Sequence, residues 1–252
     1  MIEQLHAVAY GDAGPVLVLL HGFAGRKEVW RPVQQALAGE ARSLAYDLPG
    51  HGKSLDWPEP VSSKSASRAI LADLAERGIK EFHLAGHSMG GAIAALMALA
   101  EPARVRSLTL FAPGGLGEEI NIRLLRRYAA AKTLDELQAC LEAMTGWANP
   151  VDQEAVHAYA AMREVPGQTE RLVEIAGTLA RNGRQGVIAR DSLAELPMPI
   201  SVVWGLKDNV LPVRQTTGLP ATFALHLVPD AGHMLPEEVP DLAATVLRRN
   251  VR

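Results

Sequence analysis

The stretch that most constrains this chain is Glu81-Phe-His-Leu-Ala-Gly-His-Ser-Met-Gly-Gly-Ala92, a half-apolar run that passes through close-spaced glycines into an alanine-rich segment. Phe82, Leu84 and Ala85 predict a short strand, and Ala92-Ile-Ala-Ala-Leu-Met-Ala-Leu-Ala100 is built of good helix formers. Between the two the chain must turn sharply. Gly86-His87-Ser88-Met89-Gly90 fits the pattern G-x-S-x-G, in which a serine held in a strained turn projects its hydroxyl only if the flanking glycine positions lack bulk. The helix expected from Met89 to about Glu101 points unpaired amides and its positive dipole end at Ser88, which favours negative charge there.

Composition narrows the classes that could carry such a turn. Of 252 residues 48% are hydrophobic, enough for one sizeable core with a large insertion. A formal net charge of -3 without any Lys/Arg block argues against nucleic acid and against a polybasic membrane patch. Arg123, Arg126 and Arg127 form the densest basic cluster and read as a solvated helix face. The single cysteine, Cys140, excludes an internal disulfide and a sulfur-based metal site, reads as a packed small hydrophobe, and fits a reducing, cytoplasmic compartment. Met1-Ile-Glu-Gln-Leu5 has no basic start, so no signal peptide is expected, and Val16-Leu-Val-Leu-Leu20 is far too short to span a bilayer.

Taken in order, Leu5 to Tyr10 and Val16 to Leu20 read as strands split by Gly11-Asp-Ala-Gly-Pro15, the second apolar throughout and hence buried on both faces. A helix is expected over Trp30 to Ala38, a strand over Arg42 to Tyr46, and a helix over Ser65 to Gly78. Val105 to Ala112, Ile200 to Trp204 and Thr222 to Val228 supply further strands, and Pro240 to Arg249 a terminal helix. Ile120 to Ala131, Thr133 to Met144, Val151 to Arg163 and Thr169 to Arg181 all have helical spacing. The reading is therefore α/β: a doubly wound, mostly parallel sheet from residues 1–113 and 197–252, with an all-helical cap over 114–196 and ligands beyond the strands' carboxyl ends.

A serine hydroxyl becomes nucleophilic when a base removes its proton, and a third group must hold that base in the right tautomer. His233 is the candidate base, because Pro229-Asp-Ala-Gly-His-Met-Leu-Pro236 follows the last strand and can reach over the sheet's edge. Asp208 is the candidate acid, following Ile200 to Trp204 through Gly205-Leu-Lys207. Asp230 is its rival and suits a turn better. Asp47, in Asp47-Leu-Pro-Gly-His-Gly-Lys-Ser54, reads as a carboxylate that locks its loop. The backbone N–H groups of Met89 and Phe23 are the expected oxyanion donors. Gly22 and His21 serve the shape of that loop, and His51 and His87 are read as structural.

Together, His21-Gly-Phe-Ala-Gly25, Asp47-Leu-Pro-Gly-His-Gly-Lys-Ser54, Gly86-His-Ser-Met-Gly-Gly91, Trp204-Gly-Leu-Lys-Asp208 and Ala231-Gly-His-Met234 resemble the α/β-hydrolase superfamily over nearly the whole chain. The resemblance implies no metal or organic cofactor, a Ser-His-Asp triad, and a lid inserted after the strand ending near Ala112. Ser88 sets the chain apart from the branches whose nucleophile is Asp. His87 differs from the Asn usual before the serine of carbon–carbon bond hydrolases, and Gly91-Ala92 lacks the arginine of the menaquinone-pathway lyases. Phe111-Ala-Pro-Gly-Gly-Leu-Gly-Glu-Glu-Ile-Asn121 resembles the hydrolase-like domain of acetoin-dehydrogenase-type acyltransferase components. The expectation is a carboxylesterase-like enzyme taking a small-molecule ester, with lactonase, enol-lactonase or lyase chemistry on the same triad as the alternative, and an acyltransferase-related or non-catalytic binding protein as the alternative of another class. Leu116, Leu124, Leu125, Tyr128, Leu137, Leu141, Met144, Trp147 and Met162 are expected to make the cap apolar, most of them by packing within it, over a hydrophobic pocket. Nothing in the sequence specifies an oligomer.

Overall fold

The computed structural model describes residues 5–58 and 61–251. Met1 to Gln4, on which the leader argument rests, lie outside the described residues. Seven strands form one sheet: β1 (Ala7–Tyr10), β2 (Val16–Leu20), β3 (Arg42–Tyr46), β4 (Phe82–His87), β5 (Val105–Phe111), β6 (Ile200–Gly205) and β7 (Ala224–Val228). Their order is β1-β3-β2-β4-β5-β6-β7, with β1 antiparallel to β3 and every other pair parallel. Leu17 to Leu20 are fully buried, as an apolar run in a sheet covered on both faces requires.

The helices are α1 (Arg31–Ala36), α2 (Ser63–Glu76), α3 (Met89–Ala100), α4 (Ile122–Ala130), α5 (Leu134–Met144), α6 (Gln153–Arg163), α7 (Gln168–Thr178), α8 (Arg190–Ala194), α9 (Leu235–Glu238) and α10 (Pro240–Asn250). The expected helix at Trp30 divides into a 3-10 turn over Lys27–Trp30 and α1, with Pro32 in the first turn where its missing N–H costs nothing. Helix α2 starts two residues before the apolar spacing suggests, because Ser62 and Ser65 close a reciprocal capping box. Thr133 and Asp152 cap α5 and α6 in the same way, by accepting an early backbone N–H.

Helices α1 and α10 pack together, as do α2 and α3, so two helix pairs flank the sheet. Five helices, α4 to α8, lie between β5 and β6 in sequence, with α4 against α7 and α5 against α6. Helix α7 ends at Thr178 rather than Arg181, and residues 179–189 run on without helix, bridged to Glu119 at Arg184. Helix α8 carried no signal in the sequence. No helix among the described residues is long and apolar enough to cross a membrane.

Candidate active site

The turn from β4 into α3 holds Ser88 at φ 54°, ψ -116°, a conformation that L residues rarely adopt. Neighbouring backbone holds it there: Ser88 N–H donates to Phe111 O at 2.9 Å, and Ser88 O accepts from Ala92 N–H at 3.1 Å and Gly114 N–H at 2.9 Å. A methyl group on Gly86 would strike Gly90 O, and one on Gly90 would strike the carbonyls of Leu20 and His21. The two glycines are thus the condition for this turn to pass so close to β2.

The structure brings Ser88, Asp208 and His233 together from three loops at the carboxyl edge. Ser88 Oγ lies 2.9 Å from His233 Nε2, and His233 Nδ1 lies 2.8 Å from Asp208 Oδ2. The other oxygen, Asp208 Oδ1, accepts the N–H groups of Val210 and Leu211, both at 2.8 Å, so the carboxylate cannot swing away. A carboxylate only accepts, hence His233 Nδ1 carries the proton and Nε2 is left to accept from the serine hydroxyl. That arrangement is able to take the Ser88 proton as its oxygen attacks. Asp230 is exposed in a turn, and among the described residues the imidazole's hydrogen-bond partners are Asp208 and Ser88.

The N–H groups of Phe23 and Met89 have no acceptor among the described residues, and both residues border the same cavity as Ser88. The loop that presents Phe23 is held by two imidazoles. His21 donates from Nδ1 to Gly22 O at 2.7 Å and accepts Leu48 N–H at Nε2 at 3.0 Å. His51 donates from Nδ1 to Pro49 O at 3.0 Å and accepts Ala24 N–H at Nε2 at 3.1 Å. Both rings must be neutral to do so, and burial favours the neutral form, lowering His21 and pushing His51 down to about 3. Asp47 locks the next loop, accepting from Lys27 N, Lys27 Nζ and Lys53 N at 3.0, 2.8 and 3.1 Å.

One residue of the site was missed in the sequence. Glu238 accepts Gly232 N–H at 2.8 Å and Met234 N–H at 2.9 Å, clamping the two residues that flank His233, and also Gly146 N–H at 2.8 Å from the segment after α5. His233 N–H donates to Met144 O at 2.7 Å, and its carbonyl accepts from His87 Nε2 at 2.7 Å. Burial first, then the neighbouring His233 ring, hold His87 well below the usual imidazole range. The signal was faint: an acidic residue five positions after a loop histidine, doing its work on backbone amides.

A cavity of about 330 Å³ opens beside Ser88, walled by Phe23, Leu96, Ile120, Leu125, Ile175 and Leu179. Among the described residues Lys64 is the one charged side chain along its wall, and it is exposed. Of the residues expected to make the insertion apolar, Leu125 reaches this cavity, while Leu116, Leu137, Leu141 and Met162 are buried away from it. Trp147 corrects the expectation: it is 94% exposed, on a loop after α5 where no helix covers it.

Residues 17–246 match the profile of the Alpha/beta hydrolase family. The dihydrolipoyllysine-residue acetyltransferase component of the acetoin cleaving system of Pseudomonas putida is 36% identical over 228 residues, 90% of this chain. The chain spans 61% of that relative's length. A 2-hydroxy-6-oxononadienedioate/2-hydroxy-6-oxononatrienedioate hydrolase of Pseudomonas putida is 28% identical, covering 91% of this chain and 85% of its own. Among solved structures, a meta-cleavage product hydrolase from Pseudomonas fluorescens IP01 superposes with a TM-score of 0.85 at 19% identity, over 97% of this chain and 92% of that one. With its sheet order, its serine elbow and a profile match across nine tenths of its length, the chain belongs to the α/β-hydrolase family.

Proposed function

We propose that the protein is a serine hydrolase that cleaves small to medium, uncharged carboxylic esters through an acyl-enzyme. The observation that carries this reading is the unbroken chain from Ser88 Oγ through His233 to Asp208, opening on an apolar cavity with two unpaired amides. Ser88 attacks the acyl carbonyl while His233 takes its proton and Asp208 stabilises the imidazolium. Phe23 N–H and Met89 N–H receive the oxyanion, an electrostatic contribution of about 3–4 kcal/mol for each donor. The imidazolium protonates the leaving alcohol, and water releases the acid. Residues 114–196 act as the cap that closes the pocket.

The substrate class follows from the walls. A volume of about 330 Å³ stands at the low end of the range of roughly 300–1,000 Å³ for ligand pockets. With the exposed Lys64 the one cation along the wall among the described residues, a buried anionic group on the substrate has no buried cation there to meet it, which disfavours a dianion of the kind named for the dienedioate hydrolase relative. A second reading, acyl transfer to a thiol or alcohol, is favoured by the 36% identity to an acetyltransferase component and uses the same acyl-enzyme. A series of p-nitrophenyl esters from acetate to dodecanoate, with Ser88→Ala as control, tests both. Hydrolysis peaking at short to middle chain lengths supports the first reading. Turnover only in the presence of an added thiol supports the second, and activity retained by Ser88→Ala defeats both.

A further inference from the structure

Ser88 stands between two chambers of very unlike size. On one side lies the apolar cavity of about 330 Å³, and His233 is absent from its wall. On the other lies a space of about 20 Å³ bordered by Ser88, His233, Tyr128, Tyr159, Met234 and Glu237. About 10–15 Å³ of such space suffices for one water molecule, so this chamber takes water and excludes an acyl chain. Phe23, Val29, Leu125 and Met144 complete its wall, so its polar groups are the Ser88 and Tyr hydroxyls, the His87 and His233 imidazoles and the Glu237 carboxyl, set among apolar side chains. The Tyr128 hydroxyl, in a residue 1% exposed, makes no well-formed hydrogen bond among the described residues, although the Arg163 guanidinium lies against its ring. Tyr159 donates its hydroxyl to Glu237 Oε1 at 2.8 Å and keeps its own oxygen free to accept.

A buried hydroxyl without a partner costs stability unless something small and polar meets it. Met234 and Glu237 also border an outer groove of about 230 Å³ walled by Leu141, Val151 and Ala155, so both residues touch the chamber and that groove. Resting on the proposed acyl-enzyme chemistry, we infer that this chamber is the site of the deacylating water, held by Tyr128 and the Tyr159–Glu237 pair and reached past Met234 from the outer groove. The acyl group fills the large cavity, so the imidazole faces the small chamber when water must attack. His233 Nε2 takes one proton from the water, the water oxygen bonds to the acyl carbon, the bond from that carbon to Ser88 Oγ breaks, and the same proton passes to Oγ. The carboxylic acid leaves with free Ser88 restored. Glu237, pushed up to about 7 chiefly by burial, borders both the chamber and the outer groove.

The test separates nucleophile choice from acylation. Single-turnover release of p-nitrophenol from p-nitrophenyl butyrate, enzyme in excess, reports acylation. The ratio of methyl butyrate to butyric acid formed in dilute methanol reports which nucleophile deacylates. In Tyr128→Phe and Glu237→Gln, acylation is expected to stay within about twofold of wild type while the ratio shifts about tenfold toward the methyl ester, the effect of one hydrogen bond lost to water. Two variants, each checked by thermal melting, guard against a defect of folding. An unchanged ratio in both, or an acylation rate that falls as far as deacylation does, overturns the water site while leaving the acyl-enzyme standing. Absence of p-nitrophenol release from the wild-type protein removes the acyl-enzyme itself, and the water site with it.

Discussion

At the rim of the sheet backbone meets backbone, whereas over the large cavity side chains form the walls. A methyl on Gly86 would strike Gly90 O, one on Gly205 would strike Gly232 O, and one on Gly232 would strike Met144 O. Above the cavity, Ile175, Leu179 and Ile188 face the space, and Gly177 and Gly186 nearby have nothing within 4 Å. Packed backbone cannot be altered without moving Ser88, while a side-chain wall can change volume and leave the hydroxyl where it is. Position is held at the rim, and on the proposed function selectivity resides in the roof. The two meet where Met144 and Gly146 touch the His233 loop, so the roof is not independent of the chemistry at that end.

The comparison breaks first at the rim. Ser88→Ala and Asp208→Asn should each lower kcat on p-nitrophenyl butyrate by about 10⁴-fold or more, with thermal stability retained. A loss under tenfold from either would show that the rim does not run the reaction. In the roof, Ile175→Trp should cut kcat/KM for long-chain esters by about ten- to a hundredfold and leave p-nitrophenyl acetate within about twofold, since it removes space and no reacting group. Equal losses on both substrates would merge the two regions. Glu238→Gln loses the acceptor for one of the amides beside His233 and should lower kcat by about tenfold while KM holds, measured on the butyrate ester.

The elbow and the meeting of Ser88, Asp208 and His233 were legible because each depends on a local pattern at a strand's carboxyl end: glycines two before and two after a serine, an aspartate just past β6, a histidine just past β7. The roof was legible only as helices. Helical spacing shows that Leu137 and Leu141 belong to an apolar face, yet it does not say which neighbour covers a residue, and Trp147 stands exposed for that reason. Residues 179–189 reach the cavity without any periodicity to betray them, and Ile188 is the result. Glu238 acts on amides contributed by Gly146, Gly232 and Met234, a convergence that exists only once the chain has folded.

The smallest expected effect is a pH dependence of stability that originates at the rim. His21, His51 and His87 are lowered from 6.5 in the folded protein, so below 6.5 the unfolded chain binds more protons. Their contribution is present above pH 6.5 and is lost as pH falls, down to about 3 for His51. Urea midpoints should drop through that window, each buried imidazole adding a slope of about 1.4 kcal/mol per pH unit. Asp47, which burial alone would raise, is lowered on balance by the Lys27 contacts while His21 stays neutral, and it sharpens the loss at the acid end. His51→Gln should flatten the slope by about one proton, and no roof substitution should change it.

The central claim is that Ser88 alone among the serines of this chain is made nucleophilic, by His233 and Asp208. Treatment with a fluorophosphonate and peptide mass spectrometry tests it most directly. The account predicts one adduct, on Ser88, formed more than about a hundredfold slower in His233→Ala. An adduct on another residue, none at all, or equal labelling with and without His233 would contradict it.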